Sequence, residues 1–211
     1  MSAIGRYYAQ ARQWIRTQYY ERKFGVATTG FMDARALGIE NPDSMDHSPL
    51  GYDYVFWALR TIPFPAREVV FLDYGSGKGR VLVAAASLPF RKVVGVEISA
   101  SLAATARENL AHMRHRRARE VAVYESDAAE FPLPDDVNVL LIFNPFVGQT
   151  LTDVVARIEA SLNARPRDLF IIAVNHKPFE QRVRGATWLR KVYEAPLCAL
   201  YRATASIVLN D

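Results

Sequence analysis

From residue 68 onward, runs of consecutive apolar and β-branched residues alternate with longer stretches of helical spacing. The runs are "VVFLDY" (69–74), "KVVGVEI" (92–98), "EVAVYE" (120–125), "VNVLLIFN" (137–144) and "LFIIAVN" (169–175). Strands that are apolar at successive positions are covered on both faces, as in a parallel sheet flanked by helices. Between them lie "KGRVLVAAASL" (78–88), "SASLAATARENLAHM" (99–113) and "TLTDVVARIEASLN" (150–163), rich in Ala and Leu at helical spacing. The latter two open on Ser or Thr, residues suited to capping a helix N-terminus. The alternation predicts an α/β fold with a Rossmann-like, doubly wound and mainly parallel sheet.

Both ends depart from this rhythm. "ATWLRKVYEA" (186–195) and "LCALYRATASIVL" (197–209) are strand-like with no helix between them, which predicts an antiparallel hairpin turning around Pro196. Residues 4–24 and 51–62 read as helices, separated by a turn-rich stretch over 25–50. The expected organisation is an N-terminal helical extension over 1–66, capping a core over 67–211 within one structural domain.

The 211 residues suffice to bury a core without staples, and the single cysteine, Cys198, excludes an intrachain disulfide. No Cys/His spacing suits a metal, since His112 and His115 stand in an arginine-rich run. The N-terminal residues lack the apolar stretch of a signal peptide, and no segment approaches the length of a membrane span. These features predict a cytoplasmic protein without a membrane span. A net charge of +4 permits an acidic partner without requiring nucleic acid.

The chemistry concentrates in "FLDYGSGKGR" (71–80), a glycine loop between a strand and a helix. A phosphate-binding P-loop needs Ser or Thr after its lysine and a glycine five places before Gly77; Gly79 follows Lys78, and Leu72 stands at the earlier place. A dinucleotide fingerprint counted from Gly75 puts Arg80 where its last glycine belongs. The pattern that fits is D-x-G-x-G-x-G, formed by Asp73, Gly75, Gly77 and Gly79. On residues alone this is also a tight turn whose Asp caps its own helix.

This loop resembles the first motif of the class I S-adenosylmethionine-dependent methyltransferases. Together with "NPF" and "FGVATTG", the loop looks like a bacterial group of that class with unassigned substrate, and is similar to the seven-strand protein lysine methyltransferases. The resemblance implies S-adenosylmethionine as cofactor and S-adenosylhomocysteine as product. It implies that Asp73 faces the ligand's ammonium and that Tyr74, Gly75, Ser76, Gly77 and Gly79 bring bare backbone against it. It assigns the ribose hydroxyls to Glu97, with Ile98 beside it, and the adenine amino group to Asp127, flanked by Ala128. The alternative for Glu97 is an acid favoured by a helix N-terminus, and for Asp127 an N-cap.

"LIFNPF" (141–146) closes the fourth strand and resembles the Asn/Asp-Pro-Pro-aromatic motif of N-methyltransferases, with one proline missing. The resemblance implies catalytic roles for Asn144, Pro145 and Phe146. The Asn144 side chain and the following carbonyl accept hydrogen bonds from the target nitrogen, and the ring packs on it, as a cation–π contact for lysine. The resemblance also implies that Asn144 borders the cofactor. The shortened motif points to an aliphatic amine or amide rather than a flipped base, and Asn-Pro is also a common strand-ending turn. Asn175 and His176 follow the fifth strand, where a neutral imidazole could take a proton, although loop histidines are commonly solvated.

Residues 1–64 hold half the chain's aromatics. Tyr52 and Tyr54 are candidates for lining the methionine end of the cofactor, against a satellite aromatic core. The first helix interleaves Arg6, Arg12, Arg16, Arg22 and Lys23 with tyrosines, a texture shared by single-strand nucleic-acid binders, lids and interfacial helices. "RHRRAR" (114–119) falls where cations complement a helix C-terminus. The expected activity is N-methyl transfer to a protein lysine or comparable amine, with a protein substrate favoured over nucleic acid. RNA or DNA methylation and non-catalytic cofactor binding are the alternatives.

Overall fold

The computed structural model describes residues 3–205, with side chains at Tyr8 and from Gln10 onward. Seven strands form one sheet in the order β3-β2-β1-β4-β5-β7-β6. They are β1 (Val70–Tyr74), β2 (Lys92–Glu97), β3 (Glu120–Glu125), β4 (Val139–Ile142), β5 (Leu169–Val174), β6 (Leu189–Ala195) and β7 (Cys198–Ala203). The first five run parallel, while β7 inserts antiparallel between β5 and β6. The helices are α1 (Ala3–Phe24), α2 (Tyr52–Leu59), α3 (Arg80–Ala86), α4 (Ala100–His112), α5 (Gly148–Ala164) and α6 (Lys177–Arg182). The short α6 carries no clear sequence signal, and residues 206–209 of the expected second hairpin strand lie outside the described residues.

The continuous apolar runs have their reason in two cores. Alternate strand residues such as Phe71, Val93, Leu141 and Ile172 join a core with α1, α2 and α3. Their neighbours Leu72, Val94, Leu140 and Ile171 join a second core with α5 and α6. Side chains alternate between the faces of a strand, so a sheet covered on both needs apolar residues at every position. The outer strands β3 and β6 are more exposed and carry charge, which discourages edge pairing.

Ser99 caps α4 as expected, accepting from the Leu102 amide. In α5 the helix begins earlier, at Gly148, and Thr150 is no cap. Its N–H instead donates to the carboxylate of Asp43, 2.9 Å away, so the capping acid comes from the distant turn-rich stretch.

The residue that spoiled the dinucleotide pattern organises the N-terminal extension. Arg80, 5% exposed, donates from Nε to Thr28 Oγ1 at 2.9 Å and from Nη1 to the Leu50 carbonyl at 3.2 Å. Its Nη2 lies 3.5 Å from Glu21, and the guanidinium lies over the Tyr52 ring at 5.0 Å. Glu21 in turn accepts from Thr28 and Thr29. Removing one partner of a buried ion pair leaves the other charge uncompensated. Arg80→Met is therefore expected to lower the unfolding free energy by about 3 kcal/mol in urea titrations, and a loss near zero would show that the extension is held by packing alone.

Candidate cofactor and acceptor site

A parallel sheet that winds outward from β1 and returns to β4 leaves a crevice where those strands part, at their carboxyl ends. Here that crevice is closed to backbone contact: Gly75 follows β1 with φ +73°, and Pro145 follows β4. A Cβ on Gly75 would lie 2.1 Å from Pro145 Cβ, so only glycine permits the approach. The same holds at Gly77, φ +54°, where a Cβ would meet the His47 ring at 2.4 Å. Gly79 instead precedes α3 and packs on Ala106 of α4, away from the crevice.

A cleft opens above this junction, bordered by Gly75, Glu97, Ile98, Asp127, Ala128 and the run Asn144–Phe146. Its other wall is residues 37–48, part of the turn-rich stretch. This strap is fastened at several points. Met32 and His47 exchange both backbone hydrogen bonds. Met45 N–H donates to the Pro145 carbonyl at 3.0 Å, and Asn41 Nδ2 donates to Thr150 Oγ1 at 3.1 Å. Hydrogen-bonding residues dispersed through a loop give no period to read, so Asn41, Asp43 and His47 had no signal beyond their polarity.

The acids of the cleft are held differently from one another. Glu97, buried, accepts from the amides of Gly77 (2.7 Å) and Ser99 (2.9 Å), which fixes its carboxylate and leaves a lone pair on each oxygen. Burial raises its pKa, against the pull of those amides. Asp127 accepts from Ala129 N–H at 2.8 Å, capping its own turn, and from Asn41 at 3.3 Å. Asp73 is buried below the cleft rather than on its wall, and burial followed by the neighbouring Glu97 carboxylate pushes its pKa well above the usual range. His47 is held down to about 4 by burial and the nearby Lys78 and Arg80, so it is neutral at physiological pH.

Several predicted residues lie elsewhere. Tyr52 is wholly buried against Tyr20, Phe56 and Arg80, and Tyr54 packs on Trp57; neither borders the cleft, and the aromatic-core alternative describes both. Tyr74 is likewise buried, its ring edge-on to Phe146 at 6.3 Å. Phe146 is 5% exposed and belongs to the second core, so the more open ring beside Asn144 is Phe143. Asn144 and Asn175 both have left-handed backbone, φ +44° and +51°, and border one small pocket behind the cleft.

His176 is not solvated but 3% exposed, with Nε2 3.4 Å from Glu194 and 3.7 Å from Glu180. These three could hold a cation, yet the Lys191 ammonium already binds both carboxylates.

The cleft fits S-adenosylmethionine chemically. It offers fixed carboxylates for hydrogen-bond donors, bare amides, and two buried polar atoms without partners beside the loop, Ser76 Oγ and His47 Nε2. Residues 71–164 match the family model of a methyltransferase domain. No curated protein matches the chain. Among solved structures, an RNA methyltransferase of Salinibacter ruber, in complex with S-adenosylhomocysteine, is similar at 20% identity and TM-score 0.58, over 78% of this chain and 98% of that one. A ribosomal protein methylase of Lactobacillus delbrueckii is similar at 16% identity and TM-score 0.51, over 76% and 81% of the two chains. Magnesium protoporphyrin IX methyltransferase of Synechocystis follows at 15% and 0.50, over 73% and 77%.

The chain thus has the class I S-adenosylmethionine-dependent methyltransferase fold, with the seven-strand sheet and reversed last strand of that class. No helix among the described residues is long and apolar enough to cross a membrane.

The raised carboxyl groups have a measurable consequence. An acid whose native pKa exceeds its unfolded value near 4 is protonated in both states below that value, and its contribution to stability is lost as pH rises through the native pKa. Stability of the ligand-free protein is therefore expected to fall as pH rises above about 4, and Asp73→Asn to flatten that fall. Melting temperatures across the range check this; equal slopes in both proteins would place the titration elsewhere.

Proposed function

We propose that this protein is an N-methyltransferase acting on a protein lysine or comparable amine. The observation that carries the reading is Asn144: its left-handed backbone at the end of β4 holds it at the wall between the cleft and the small pocket behind it. When bound, S-adenosylmethionine supplies an electrophilic methyl on a sulfonium, and what remains for the protein is alignment. Glu97 receives the ribose hydroxyls on its free lone pairs, and Asp73, beneath the glycine loop, ionises as the cationic cofactor arrives and then balances its charge. Asp127 and Ala128 border the adenine, and Asn41 shares Asp127 with it.

On the acceptor side, the Asn144 amide oxygen takes one N–H of the incoming amine and orients its lone pair toward the methyl. The Pro145 carbonyl takes another, for which the amine replaces Met45 N–H. Phe143, rather than the buried Phe146, offers the ring beside the amine. The relatives' names span RNA, a ribosomal protein and a porphyrin, so likeness of fold does not choose the acceptor. A second reading, transfer to nucleic acid, draws support from the cationic, aromatic face of α1.

Asn144→Ala is expected to lower turnover about a hundredfold or more while calorimetry finds S-adenosylhomocysteine binding unchanged. Wild-type rates in the variant would remove Asn144 from the mechanism. Radiolabelled methyl transfer into a cell lysate, divided by protease and nuclease treatment, assigns the acceptor: label released by protease supports the amine reading, and label released only by nuclease overturns it.

A further inference from the structure

The charge of this protein is concentrated in one element. Within α1, Arg6, Arg12, Arg16, Arg22 and Lys23 stand against Glu21 alone, a net +4 that equals the net charge of the whole chain. The rest of the sequence therefore balances to zero. Glu21 offsets none of the outer charge, because its carboxylate turns inward to Thr28, Thr29 and Arg80. Arg16 pairs with Asp53 at the surface. Among the described residues, no acidic side chain forms an ion pair with Arg12, Arg22 or Lys23.

The same face displays large rings. Trp14 is 64% exposed and Tyr19 53%, whereas Tyr20 and Phe24 of the same helix pack on α2 residues Tyr52 and Phe56. Trp14, Ile15, Gln18, Tyr19, Arg22 and Lys23 line a shallow groove along the helix. Lys23 Nζ stands 5.9 Å from the Tyr19 ring centre, so charge and ring face are offered together.

Three occupants share the requirement for negative charge. An acidic peptide would engage the cations and leave the Trp14 and Tyr19 faces in water. An anionic membrane surface would need aliphatic area to insert, and Ile15 is the one large aliphatic side chain described on this face. Single-stranded RNA uses both features, with phosphates on the arginines and bases stacked on the rings. We propose that the outer face of α1 is a binding surface for single-stranded RNA. This surface goes beyond the methyl-transfer reading and does not depend on it, since the groove on α1 shares no lining residue with the cleft.

The test is fluorescence anisotropy of a labelled single-stranded oligouridylate with the full-length protein, without cofactor, across a salt series. Contacts to three or four phosphates predict a log–log slope against salt of about −2 to −3. Arg12→Gln with Arg22→Gln is expected to weaken binding and flatten the slope by about 1.4. Trp14→Ala with Tyr19→Ala is expected to weaken it about tenfold or more with the slope kept. Circular dichroism and S-adenosylhomocysteine calorimetry, unchanged in both, show that the fold is intact. Absence of binding, wild-type affinity in both variants, or binding to phosphatidylserine vesicles in place of RNA would each overturn the proposal. Because no methyl transfer is read, these outcomes are independent of whether the amine assignment holds.

Discussion

The arrangement of the cleft depends on one buried guanidinium. Arg80 stands at the first turn of α3, immediately after the glycine loop, and reaches Glu21 of α1, Thr28 at the root of the strap, the Leu50 carbonyl and the Tyr52 ring. A charge taken out of water is tolerated only when it is paired and hydrogen-bonded, so these partners and Arg80 hold one another in place. The loop that opens the cofactor cleft is thereby locked to the segment that covers it. Its position in the sequence, where a dinucleotide fold would need glycine, makes Arg80 both the mark against one ligand class and the fastening for another.

Backbone strain gathers at the same end of the sheet. Gly75 after β1, Asn144 after β4 and Asn175 after β5 all adopt positive φ on three neighbouring strands. Glycine accepts that conformation freely and asparagine better than most side chains, so their identities have a structural cause as well as a chemical one. The sharp turn at Asn144 throws Phe143 and Phe146 into opposite cores and leaves the Asn144 side chain and the Pro145 carbonyl at the cleft. Met45 N–H binds that carbonyl, which ties the strap to the end of β4.

The parallel core was legible because burial on both faces leaves a simple mark, continuous apolar runs such as those of β1, β4 and β5. Glu97 and Asp127 were legible as candidates because each stands at the end of a strand at family spacing, and the fold brings both to one cleft. What escaped was whatever long-range contacts decide. Arg80 read as an obstacle, although its partners lie 28 to 59 residues earlier in the chain and only folding brings them together. Tyr52 and Tyr54 read as pocket residues because aromatic content does not say which way a ring faces, and Arg80 and Trp57 draw them inward. The strap has no hydrophobic period, and its role rests on backbone bonds and on Asn41 and Asp43, which look like ordinary turn residues. His176 read as solvated because burial on an edge formed by α6 and β6 has no local signature.

The central claim is that strand ends and strap enclose one cofactor between them, and hydrogen–deuterium exchange with and without S-adenosylhomocysteine tests it most directly. Ligand is predicted to slow exchange together at the amides of 75–79, at 97–99 and 126–129, and across the strap at 37–48. Protection confined to the strand ends, with the strap exchanging as before, would contradict the account.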